Sequence, residues 1–68
     1  MEDYEKRMLD EYNDLVEKID KLYVFTKSNK FKELEKDEKY DLSIQYIAMK
    51  DYEDHLLKRL KRRGLMDD

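Results

Sequence analysis

The sequence predicts an all-α fold, an antiparallel two-helix hairpin with a short helical turn at its connection that assembles into a homo-oligomeric helical bundle. Three observations predict it. Apolar residues recur at helical spacing through two long segments of the 68-residue chain. There is no proline and a single glycine, Gly64, a composition that helices tolerate and hairpin-rich β folds do not. Charged residues make up 49% of the chain yet leave a net charge of only −3, as interspersed signs on solvated helix faces do. A disordered polyampholyte would share that charge content but not the ordered apolar periodicity.

The first helix is expected over about residues 2–28. Met8, Tyr12, Leu15, Ile19 and Leu22 follow one another at spacings of 4, 3, 4 and 3, a heptad seam that Tyr4, Leu9, Val16 and Tyr23 widen into a stripe. Glu2, Asp3 and Glu5 lie in its first turn, where carboxylates meet the positive end of the helix dipole. Asp14 with Lys18 and Glu17 with Lys21 provide i,i+4 pairs on the outer face.

The pattern breaks at "FTKSNKF", where Ser28-Asn29 reads as a helix end followed by a new start. Phe31 and Leu34, three apart, suggest a short helical turn over 29–35. The second long helix is expected over about 37–63, opened by Asp37 and Glu38 and closed by Lys58, Arg59, Lys61, Arg62 and Arg63. Gly64 then serves as its C′ residue, and 65–68 form a frayed tail. The whole chain is one domain.

This second helix carries two apolar stripes. Leu42, Met49, Leu56 and Leu60 form one, with Tyr46 and Leu57 at its edge; Tyr40, Ile44, Ile47 and Ala48 lie on the roughly opposite side. A two-helix hairpin buries only one of them, so the second is assigned to an interface between subunits. Small size points the same way. A chain this short buries only about 60% of the surface it exposes when unfolded. With no cysteine and one histidine, disulfides and a structural metal do not supply the deficit.

Gln45, Tyr52 and Arg59 stand seven apart and form a row beside the Leu42–Met49–Leu56 stripe. Such a row either fixes the register of a packed seam or recognises a ligand, the amide reading a base edge, the ring stacking and the guanidinium holding phosphate. Other constellations carry less. The "KRLKRR" run at Lys58–Arg63 suits a helix C-terminus as well as nucleic-acid phosphates. Asp51 and His55 are four apart, but a metal needs further ligands. No nucleophile–base pair and no glycine-rich phosphate loop occurs, so neither catalysis nor a cofactor is expected. The absence of a membrane-length apolar run and of a signal-peptide pattern leads to the expectation of an intracellular protein without membrane association.

Two spaced patterns, "KL..F..S.KF..L" over Lys21–Leu34 and "L..Q...M..Y...L..R" over Leu42–Arg59, resemble a family of very small helical proteins of crAss-like bacteriophages. With Leu15 and Ile19, the resemblance extends over about Met8 to Arg59. The basic run after Leu60 and the charged "LEKDEKYD" depart from it. That family is similar to the anti-CBASS sponge proteins of phages, small helical assemblies that sequester cyclic oligonucleotide signals of bacterial defence without cleaving them. The resemblance implies a homo-oligomer, a tetramer in first place and a dimer in second, with ligand sites between subunits.

Taken together, these readings lead to the expectation of a phage immune-evasion sponge in the cytoplasm of the infected bacterium, with a cyclic dinucleotide such as 3′3′-cGAMP as first candidate. Phe25, Phe31 and Tyr52 are assigned to stacking or pocket walls, Lys30 and Arg59 to phosphates, and Gln45 and Ser28 to hydrogen bonding. The rival reading is an oligomeric helical adaptor for a host or phage protein. Binding of DNA or RNA through the C-terminal basic run ranks third.

Overall fold

The computed structural model describes residues 2–66. Helix α1 spans Asp3–Thr26, a short helix α2 spans Asn29–Glu33, and helix α3 spans Lys36–Arg62. α1 and α3 pack antiparallel along their length and give a rod of 45 × 20 × 15 Å. This is the hairpin that the apolar spacing predicts.

Each boundary has a local cause. The Glu5 carboxylate accepts from the Glu2 backbone N–H at 3.2 Å and so secures the start of α1. α1 stops at Thr26, two residues short of expectation, because Ser28 turns to extended backbone and caps α2. The Ser28 hydroxyl donates to Phe25 O at 2.6 Å and accepts from Phe31 N–H at 3.2 Å, so one side chain ends one helix and starts the next. α3 ends in a Schellman turn. Gly64 takes φ +72°, Leu65 N–H donates to Leu60 O at 2.9 Å, and Gly64 N–H donates to Lys61 O at 3.0 Å.

The buried core lies at the open end of the hairpin, away from the bend. Met8, Leu56 and Leu60 form it, with Tyr4, Leu9, Tyr12 and Leu15 packed around them. Leu65 and Met66, expected in a frayed tail, instead pack on this cluster, because the Schellman turn folds the chain back over Leu60. Asp67 and Asp68 lie outside the described residues. Arg63 closes the same end, with its guanidinium 4.5 Å from the Tyr4 ring centre and 3.6 Å from the Glu5 carboxylate.

Along α3 the inward residues are Leu42, Tyr46, Met49, Glu53, Leu56 and Leu60. The seam is therefore apolar except at Glu53, whose carboxylate pairs with Lys50 at 3.0 Å beside the stripe. That hydrogen bond holds the Lys50 ammonium above its ordinary pKa.

Leu60 is fully buried and Met8 and Leu56 nearly so, which makes this cluster the main apolar anchor of the chain. Leu60→Ala should cost about 2–5 kcal/mol, a large share of the total stability of so small a domain. Urea titration followed by circular dichroism should show the midpoint fall or the transition disappear.

Candidate functional site

Near the bend lies an open cleft of about 380 Å³. Tyr23, Thr26 and Lys27 line it from α1, Phe31 from α2, and Ser43, Tyr46 and Ile47 from α3. Both long helices contribute residues at i, i+3 and i+4, the spacing that puts side chains on one face. The Tyr23 and Tyr46 rings meet across the hairpin with centroids 6.2 Å apart. Lys27 holds its ammonium 5.2 Å over the Tyr23 ring.

The volume is at the low end of the range for small-molecule sites, about 300–1,000 Å³. Three aromatic rings, one cation and no carboxylate line the cleft. Its chemistry suits a flat group carrying negative charge. The cleft is open to solvent, and Ile47 and Tyr23 of its lining are 55% and 50% exposed.

A second cleft of about 370 Å³ lies on the opposite flank and is lined by Arg7, Asp10, Glu11, Asp14, Leu15, Lys18 and Tyr52. Three carboxylates against two cations make it a poor host for an anion. Tyr52 donates its hydroxyl to Glu11 there. This bond to the carboxylate, more than burial, raises the phenol pKa.

The residues assigned from sequence fall into two groups. Phe25, Ser28, Lys30 and Phe31 gather at the bend, where only Phe31 lines the cleft. Phe25 meets Phe31 edge-on at 6.1 Å and backs it, while Ser28 is occupied as the cap. Lys30 is exposed on α2. Gln45, Tyr52 and Arg59 form the second group. Successive helical residues turn by about 100°, which puts this row on one flank of the α3 seam and Ser43 and Ile47 on the other. Gln45 donates within its own helix, with Nε2 3.8 Å from Met49 Sδ.

Sequence reasoning missed Tyr23, Thr26, Lys27, Ser43 and Tyr46 as cleft residues. The matching i, i+3, i+4 sets in "YVFTK" and "SIQYI" carried the available signal. The residues assigned to an interface, Tyr40, Ile44, Ile47 and Ala48, are all exposed in the single chain.

A family model described as Sequestin matches residues 2–62. The chain belongs to the Sequestin family. The match covers all three helices, and therefore both walls of the bend cleft. The name Sequestin is consistent with a protein that sequesters a ligand. No curated protein and no solved structure matches the chain. No helix among the described residues is long and apolar enough to cross a membrane.

The Tyr52–Glu11 contact gives a pH prediction. Because the folded chain favours the neutral phenol, this contribution to stability is complete below the ordinary tyrosine value of 10.0 and is lost as pH rises through the raised folded value. In a ring-resolved NMR titration Tyr52 should ionise above the ordinary value, and Glu11→Ala should bring it down.

Proposed function

We propose that this Sequestin-family chain is a phage immune-evasion sponge. It binds a cyclic oligonucleotide signal of bacterial anti-phage defence in the cytoplasm of the infected cell and holds it uncleaved. A cyclic dinucleotide such as 3′3′-cGAMP is the first candidate. The observation that carries this reading is the bend cleft, with Tyr23, Phe31 and Tyr46 as stacking surfaces and Lys27 beside them. Stacking on aromatic side chains contributes about 1–3 kcal/mol per base, and the ammonium serves a phosphate.

A second copy completes the site in this reading. The cleft is open, and Ile47 of its lining also belongs to the exposed strip of Tyr40, Ile44, Ile47 and Ala48. Subunits meeting on the strip shield the cleft and add phosphate-binding groups that one hairpin does not place there. The row of Gln45, Tyr52 and Arg59 reaches the cleft of a neighbour only in such an assembly. The basic run favours nucleic acid less than its composition suggests. Lys58 is paired with Asp54 at 3.1 Å, and Arg63 is held by Tyr4 and Glu5.

Two measurements test the proposal. Thermal melting and native mass spectrometry against a panel of cyclic di- and trinucleotides should show a ligand that raises the melting temperature and is released intact on heating. No shift across the panel would sink the sponge reading and favour the protein adaptor. Light scattering at micromolar concentration should give the mass of a tetramer or dimer. Ile44→Glu should reduce it towards that of one chain, and a wild-type monomer would remove the shared site.

A further inference from the structure

The outer face of α3 carries a second line at heptad spacing. Asp37, Tyr40, Ile44, Ile47 and Asp51 follow one another at 3, 4, 3 and 4. All are exposed, Tyr40 to 66%, Ile44 to 47% and Ile47 to 55%. Asp41 lies beside this line near one end of the helix, and Arg59 and Arg62 beside its extension at the other. The face is therefore acidic at its start and basic at its finish, with the apolar residues and Asp51 between. Its surface area points to a covering partner. The chain exposes 5591 Å² for 8.5 kDa, whereas a compact monomer of that mass exposes roughly 4,700 Å². The surplus of about 900 Å² is close to the roughly 800 Å² that each partner buries in a standard interface.

We infer that two copies of this chain pair through this face with their α3 helices antiparallel, about a two-fold axis near Ala48. The inference takes the strip contact of the reading above and adds its direction and its charge pairs; it needs no ligand. A two-fold pairing of parallel helices sets each side chain beside its own copy. Asp37, Asp41 and Asp51 then meet like charge, as do Arg59 and Arg62, which disfavours that arrangement. An antiparallel pairing about the middle of the 27-residue helix overlaps nearly its full length. It brings Asp37 and Asp41 within about one turn of the partner's Arg59 and the partner's Arg62. Ile47 meets its own copy beside the axis, and Ile44 meets the partner's Ala48, whose small side chain lets the backbones approach. Asp51 gains no ion pair but is moved away from its own copy. Exposed ion pairs add little affinity each, so the apolar contact holds the pair and the charges set its direction.

The chain has no cysteine, so introduced single cysteines report the direction without background. On oxidation, Ala48→Cys should give a disulfide-linked dimer. Asp37→Cys and Arg62→Cys chains, mixed and re-equilibrated, should link to each other and not to themselves. Self-linkage of Asp37→Cys means parallel helices and overturns the inference, as does the absence of any link. Sedimentation of the full chain at low salt gives a second readout. Asp37→Lys with Asp41→Lys should raise the dimer dissociation constant roughly tenfold, and adding Arg59→Glu with Arg62→Glu should restore it. A reversal without effect overturns the inference, because only parallel helices tolerate it, and a wild-type monomer overturns it outright. All substituted positions are exposed, and circular dichroism checks that helicity is retained. The wild-type and cysteine measurements do not depend on how the charge variants fold. No measurement contains a nucleotide, so failure of cyclic-nucleotide binding leaves the inference standing, and a dimer paired through another face overturns it while leaving that binding open to its own panel.

Discussion

One constraint organises this molecule: the seam between α1 and α3 covers a single stripe of each helix. A helix pair has only one contact face per member, and α3 carries apolar residues on two. The stripe from Leu42 to Leu60 takes the seam. Tyr40, Ile44 and Ile47 are left at 47–66% exposure. That is a large apolar surface for so short a chain to leave facing solvent. Most consequences of the fold follow from how the seam divides the side chains between inside, flank and outside.

The seam is also uneven along its length. Its open end holds the fully buried leucines, the Schellman turn at Gly64 and the Arg63 contacts with Tyr4 and Glu5. The bend end has Ile19 as its nearest buried residue on α1, and beyond it the Tyr23 and Tyr46 rings meet across the hairpin on the wall of the open cleft. The buried core and the open cleft thus occupy opposite ends of one rod.

The helices, the main seam and the Gly64 cap were legible because all depend on neighbours within a few positions. Phe31 was legible as a bend residue for the same reason. Ser28 shows the limit of such reading. A hydroxyl at a bend is chemically suited to a ligand, but here both of its hydrogen bonds go to backbone groups of Phe25 and Phe31. Tyr52 shows another, since its partner Glu11 is 41 residues away. Tyr23 and Tyr46 read as stripe residues until their meeting across the hairpin placed them on a cleft wall.

The sequence by itself determined that two amphipathic helices form, which face of each is apolar, where the second stops, and that α3 has more apolar surface than one hairpin covers. Helical geometry makes these outcomes local, because about 3.6 residues per turn fix what shares a face. Only the tertiary structure decided which residues of α1 stand beside which residues of α3. That register depends on where Ser28 breaks the chain and on how Met8, Leu56 and Leu60 interlock at the far end. From it came the cleft of Tyr23, Thr26, Lys27, Phe31, Ser43, Tyr46 and Ile47, and the separation of that cleft from the row of Gln45, Tyr52 and Arg59.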